Sequence, residues 1–280
     1  MQGKTALHFI MYFGGIMVRF YSLTSGSSGN SAFVSDGKAN ILIDCGLNGK
    51  SVAERLNSID VSPESIDAIL ITHEHTDHIS GAGIFSRRYD VPIYTTKKTW
   101  DAIFNSKFNI GKLSDKNICF IEKEKDFEIG KLGIKAFSTP HDSADSVGFN
   151  IYADNKKLSV ATDMGKVDKN VVSHLLGSES ILLESNHDTD MLINGAYPYW
   201  LKQRILGSKG HLSNESCAKI AVCLANNGTK KIVLGHLSDE NNSPNKAYNT
   251  TKSALEQADI KIGSDIEIAV AERYDVTNIF

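Results

Sequence analysis

Hydrophobic residues in this chain fall into short runs, and each run stops at a polar or glycine-rich break. Val18 to Leu23 mixes apolar and polar side chains and reads as an opening strand, joined to a second strand by Ser25-Gly26-Ser27-Ser28-Gly29-Asn30-Ser31. The runs Ile41-Leu42-Ile43, Ile69-Leu70-Ile71, Leu158 to Ala161, Leu182-Leu183 and Ile232-Val233-Leu234 are too short for helices. Such runs suit strands buried on both faces. Helix-like spacing marks 50–58, 97–107, 169–176, 197–206, 214–225 and 246–257, and a second β-rich half runs over 118–161. Two strand-rich halves with helices outside predict an α+β protein, a four-layer αββα sandwich with two sheets packed face to face. No linker rich in Pro, Gly or Ser divides the chain, so 17–280 is expected to form a single catalytic domain.

The strand run at Ile69 leads directly into Thr72-His73-Glu74-His75-Thr76-Asp77-His78, which places three histidines and an aspartate within six residues. His73 and His75, two apart on an extended loop, can aim their imidazoles to one side. Asp77 and His78 project from the following turn. Nitrogen and carboxylate donors at this density suit Zn, Mn or Fe better than an ordinary polar loop. Glu74 is expected to point away, and the metalloprotease pattern H-E-x-x-H is absent. Three more candidates follow apolar runs: His141 after Ile134 to Pro140, Asp163 after Lys157 to Thr162, and His236 after Lys231 to Gly235. Singly, each reads as a turn, cap or core residue; together they complete a metal-binding set.

This order of motifs resembles the metallo-β-lactamase superfamily, and the resemblance runs from Met17 to the C-terminus. It implies two divalent metal ions at one edge between the sheets. His73, His75 and His141 would hold one, Asp77, His78 and His236 the second, with Asp163 bridging. Paired ions can share a water or hydroxide and lower its pKa, so that a nucleophile exists at neutral pH. Asp44, closing the run Ile41 to Ile43, matches the family's early strand-end aspartate and is expected to orient the histidine-rich loop from behind. The best-known zinc β-lactamases carry cysteine where this chain has Asp163. The resemblance therefore points to the branches acting on thioesters, lactones and phosphodiesters.

The stretch between Asp163 and His236 narrows the choice. Leu182-Leu183-Glu184-Ser185-Asn186-His187, the basic and aromatic segment from Tyr197 to Lys209, and Gly210-His211-Leu212-Ser213 look like the YycJ-type (WalJ-like) subgroup, and more distantly like tRNA-maturation endonucleases. The subgroup implies a DNA exonuclease running from the 5′ end. Its glycine-histidine-serine element carries over onto Gly210, His211 and Ser213. His211 precedes a predicted helix start, where it could stabilise charge or protonate a leaving oxygen, and Asp77 and His211 are the expected catalytic pair. Ser213 has capping that helix as its plain reading. Lys202, Arg204 and Lys209 are candidates for backbone phosphates, and Asn30, on the glycine-rich turn, for the cavity mouth. Glu184 and His187 are read as supporting residues, with His174 and His8 structural. Tyr199 and Trp200 could stack on unpaired bases, although core packing against a sheet is the first expectation for Trp200. The substrate is expected to be nucleic acid, DNA before RNA. The alternative is a thioesterase or lactonase of the glyoxalase II kind, which has no need of the Lys202–His211 segment.

Composition changes this picture little. A net charge of −3 excludes a globally basic nucleic-acid binder but not a local phosphate grip. Cys45, Cys119, Cys217 and Cys223 show no zinc-type spacing; Cys217 and Cys223 read as core thiols and a reduced cytoplasm as the compartment. Residues 1–16 carry one lysine and no arginine and read as an N-terminal extension outside the core rather than a targeting segment. No stretch is long and apolar enough to span a bilayer.

Overall fold

The hydrophobic runs are absorbed by two seven-stranded sheets in this computed structural model, which describes residues 18–107 and 109–280. The expectation for residues 1–16, with His8, lies outside the described residues. One sheet holds β1 (Arg19–Thr24), β2 (Ser31–Ser35), β3 (Asn40–Ile43), β4 (Ala68–Leu70), β5 (Ile93–Thr96) and β6 (Ile118–Ile121). The other holds β7 (Asp126–Ile129), β8 (Leu132–Ser138), β9 (Val147–Ala153), β10 (Lys156–Ala161), β11 (Ser180–Glu184), β12 (Lys231–Gly235) and β13 (Glu267–Val270). A last strand, β14 (Thr277–Asn278), returns to the first sheet beside β1.

Both sheets are half antiparallel and half parallel. The first runs antiparallel from β14 to β3 and parallel from β3 to β6; the second runs antiparallel from β7 to β10 and parallel from β10 to β13. Parallel neighbours need crossovers, and helices supply them: Gly49–Ser58 between β3 and β4, Ala82–Tyr89 between β4 and β5, Asn214–Asn226 between β11 and β12. These helices cover the outer faces, so parallel strands are buried on both sides, which is why their sequences are continuous apolar runs. Ile41, Ile43 and Leu70 meet Ile134, Phe149, Ile151 and Val233 between the sheets. Leu42 and Ile69 instead meet Val52, Leu56 and Phe85, while Ile181 and Ile232 meet Cys217, Ala221 and Leu224. The four layers are thus α, β, β, α, as expected.

Several boundaries and placements differ from the sequence reading. The stretch over 118–161 is not one half: Ile118–Ile121 pairs in parallel with β5 and closes the first sheet, and the second begins at Asp126. A strand's own residues do not encode which neighbour it will meet. The predicted helices form with ends moved by a few residues, as Lys97–Asn105 and Pro244–Gln257. Trp200 does not pack in the core: it is 66% exposed, and Tyr199 is 76% exposed. Their helix, Tyr199–Leu206, shows only Ile205 fully inward, so it lies on the rim of the molecule. Cys217 is fully buried as expected, but Cys223 is only half-buried.

Phe149 sits at the centre of the inter-sheet core with no exposed surface. Phe149→Ala is expected to cost about 3–5 kcal/mol, combining lost transfer energy and an unfilled cavity. Urea unfolding checks this, and a loss below about 1 kcal/mol would show that the inter-sheet core does not hold the layers together.

Candidate metal centre

Parallel strands present their C-terminal ends to one edge, where ligand crevices form in open α/β sheets. Asp44 and the Thr72–His78 segment follow β3 and β4, while Asp163, Glu184 and His236 follow or close β10, β11 and β12. Asp44, Asp163 and His236 have left-handed backbones, with φ of 60°, 60° and 54°. Non-glycine residues adopt that region sparingly, and doing so at a strand exit turns the chain sharply off the sheet. Gly46 is required by contact: a Cβ there would lie 1.7 Å from the Asp77 carbonyl oxygen. The two loops interlock, with Cys45 N–H donating to His78 O and Asn30 N–H to Asp77 O at 2.9 and 2.7 Å.

All seven candidate ligands converge. His73, His75 and His141 form one triad, Asp77, His78 and His236 a second, with the candidate ligand atoms of each group within 4.8 Å of one another. Asp163 lies between the triads: its Oδ2 is 3.3 Å from His78 Nε2, and its Oδ1 is 3.4 Å from His236 Nε2 and 3.8 Å from His141 Nε2. The imidazoles are oriented from behind. His78 Nδ1 donates to Asp44 Oδ2 at 2.7 Å, and His141 Nδ1 donates to Gly210 O at 3.1 Å. His73 Nδ1 meets Thr72 Oγ1 at 3.0 Å. In each case the other ring nitrogen is left for the cluster, which is how imidazoles that bind metal are held. Among the described residues, His73 Nε2 and Asp163 Oδ2 are buried without a hydrogen-bond partner. Orphaned donor atoms of this kind, facing other imidazoles and carboxylates, fit divalent cations. The chain therefore carries a divalent-metal site.

Electrostatics agree. Burial disfavours the charged form of His78 and His236, yet the carboxylates of Asp163, Asp77 and their neighbours outweigh it. His78 is held well above its ordinary value, and His236 is raised to about 10. For Asp163 and Glu184 burial pushes upward, but the surrounding imidazoles win and hold both below the ordinary carboxylate range. His73 and His141 move down because burial dominates. Protons on His78 and His236 thus answer the same negative field that a divalent cation would neutralise.

A cavity of about 240 Å³ opens beside the cluster, lined in part by His75, Asp77, Asp163, Arg204, His211 and His236. His211 Nδ1 donates to Glu184 Oε1 at 2.7 Å, and Glu184 Oε2 accepts the Met164 N–H at 2.6 Å. Asp44 has the matching arrangement in the first sheet, accepting the Thr72 N–H on Oδ1 at 2.9 Å. Glu74 stays out of the candidate ligand groups, its Oε1 accepting from Ala144 N–H at 2.7 Å.

The other candidates divide. Arg204 reaches the cavity and donates from Nε to Asp142 Oδ2. Lys202 does not: its Nζ donates to Ile193 O and Gly195 O at 2.7 and 2.8 Å, closing off the helix Thr189–Asn194. Lys209 is exposed away from the cavity lining, and Ser213 accepts from Ser216 N–H as the cap of Asn214–Asn226. Asn30 is buried, and its Nδ2 donates to Asp77 Oδ2 at 3.1 Å, so it braces a candidate ligand while Ser27 of the same turn faces the cavity. His187 makes no bond to Glu184; both of its ring nitrogens are buried without partners among the described residues. Tyr197, beside Pro198 in a segment that reads as a wall over the cavity mouth, lines the cavity, while sequence reading missed Leu201, Ile205, Asn186 and Ser238, which also line it. A four-residue spacing of apolar side chains at 197, 201 and 205 was the available signal.

Proton and cation occupancy should show in stability. Groups raised from 6.5, such as His236 at about 10, contribute fully below about 6.5 and lose that contribution as pH rises through 10. Carboxylates depressed from 3.8 and 4.5 contribute above those values and lose it as pH falls. In chelator, Tm is expected to fall between pH 6.5 and 10, and added Zn or Mn should abolish that fall by replacing the protons. A Tm that is flat over this window in chelator would sink the account.

Comparison with known proteins agrees with this geometry. The family model described as the metallo-β-lactamase superfamily matches residues 24–236. Exodeoxyribonuclease WalJ of Streptococcus pneumoniae serotype 2 is 41% identical over 252 residues, covering 89% of this chain and 93% of that protein. Exodeoxyribonuclease YycJ of Bacillus anthracis is 35% identical over 251 residues, covering 90% and 94%. Among solved structures, the metallo-β-lactamase fold protein YhfI of Bacillus subtilis superposes with a TM-score of 0.68 at 16% identity, covering 93% of this chain and 99% of that one. The chain belongs to the metallo-β-lactamase superfamily, in its YycJ-type subgroup of metal-dependent hydrolases.

Proposed function

We propose that the protein is a metal-dependent phosphodiesterase that removes nucleotides from the 5′ end of DNA. The observation that carries this reading is the pair of ligand triads joined through Asp163, with His211 held by Glu184 over the adjoining cavity. His73, His75 and His141 would hold one divalent cation and Asp77, His78 and His236 the other, with Asp163 reaching both. The donor set suits Zn, Mn or Fe. Such cations, when bound, supply Lewis acidity toward a phosphodiester oxygen and activation of water at neutral pH.

The chain's own residues do the rest. With its Nδ1 proton committed to Glu184, His211 has Nε2 to give a proton to the departing 3′ oxygen. Asp77 lines the cavity with Oδ2 3.4 Å from His236 Nε2, placed to take up a proton on the attacking side. Asp44 and Asn30 hold Asp77 and His78 in position from behind. The substrate is nucleic acid, and DNA rather than RNA is favoured by the two relatives named as exodeoxyribonucleases. Among the described residues no helix is long and apolar enough to cross a membrane, and the four cysteines are free, which suits work in a reducing cytoplasm.

The test is digestion of end-labelled, 5′-phosphorylated DNA with Mn or Zn supplied. Cleavage should vanish in chelator and in Asp77→Ala, with label lost first from the 5′ end. His211→Ala should lower kcat by about 10²–10⁴ with metal content unchanged. Turnover of a simple thioester or lactone by protein that leaves DNA intact would move the chemistry to acyl transfer. Loss of metal in His211→Ala would make that residue part of the metal site instead.

A further inference from the structure

We propose that Asp142, Arg204 and Trp200 form a subsite for the nucleotide next to the scissile one, with Arg204 gripping its phosphate and Trp200 stacking on its base. This rests on the phosphodiesterase reading above and names the part of the substrate that lies outside the metal cavity.

Three cationic side chains in the 202–209 segment could meet phosphate, and the structure leaves one at the cavity. Lys202 spends its ammonium on two backbone carbonyls, and Lys209 is not in the cavity wall. Arg204 is in that wall and is 48% exposed. Its Nε donates to Asp142, and the two terminal amino groups have no partner among the described residues. A guanidinium carries five N–H groups in a rigid fork, so anchoring through Nε leaves the outer prongs aimed and unspent. Asp142 is the residue after His141, and its Oδ1 lies 3.4 Å from His141 Nε2. The fork is therefore fixed relative to the reaction centre rather than swinging on a free side chain.

Helix geometry puts Trp200 beside it. On Tyr199–Leu206 the cavity-facing side chains are Leu201, Arg204 and Ile205. Residues four apart share a flank, so Trp200 lies one turn before Arg204, on the rim, with 66% of its surface exposed. The occupant follows from continuity with that cavity and from size. At about 240 Å³ the cavity falls below the roughly 300 Å³ where pockets for drug-sized ligands begin. The nucleotide under attack fills it, and the neighbouring one must cross the rim, where an aromatic face and a guanidinium fork meet an unpaired base and its phosphate.

The experiment compares single-stranded DNA with bis(p-nitrophenyl) phosphate, which has one phosphate and no neighbour, using metal-loaded protein. Arg204→Ala and Trp200→Ala should each raise KM for the oligonucleotide by about tenfold more than for the small diester, with kcat less affected. Asp142→Ala should shift KM in the same sense by a smaller factor with metal content retained. Arg204→Lys should not rescue, since a lysine cannot be held at one nitrogen while offering two others. Equal losses on both substrates, or no change in KM for DNA, would overturn the subsite, as would metal loss in Asp142→Ala. Wild-type protein inactive on both substrates would overturn the phosphodiesterase reading itself, and the subsite with it.

Discussion

Asp44 and Glu184 occupy corresponding places in the two sheets, and the arrangement of the centre depends on them. Each closes a parallel strand, accepts the backbone N–H at the exit of the strand beside it, and uses its second oxygen to hold an imidazole Nδ1. Asp44 thereby aims His78, and Glu184 aims His211. One acid, one amide and one imidazole on each side fix where the two halves of the cleft face each other.

That economy of parts comes with a physical cost. Asp44, Asp163, Glu184, His73, His78 and His236 are almost wholly buried, and charges in such surroundings are tolerated only when paired or bound to metal. The left-handed backbones at Asp44, Asp163 and His236 add local strain at the same edge. Against this stand three apolar layers, two beneath the outer helices and one between the sheets, that hold the strands in register. Stability lies in the layers, and the edge where the strands end carries the strained, charged machinery.

Legibility from sequence followed the range of the interactions involved. His73, His75, Asp77 and His78 are close in the chain and follow a recognisable strand, so their convergence is a local matter. His141, Asp163 and His236 are legible because each also follows an apolar run that ends in a loop. Charge points Lys202 and Lys209 toward substrate, resemblance points Ser213 there and the glycine-rich turn points Asn30 there, but none of these says where a long or polar side chain finds its partner. Lys202 found carbonyls, Ser213 a helix end and Asn30 the candidate ligand Asp77. Asp142 carried no signal at all, since its meaning comes from Arg204 sixty-two residues away.

The sequence alone therefore determined the layered α/β architecture and the candidate ligands, because apolar periodicity and clustered donors are properties of short segments, and its order of motifs carried the resemblance to the family. Only the tertiary structure decided that β6 belongs to the first sheet, that Trp200 stands on the rim, and which cation reaches the cavity. Those outcomes depend on which strand ends and helix faces meet across long loops, and no short segment encodes its distant neighbour.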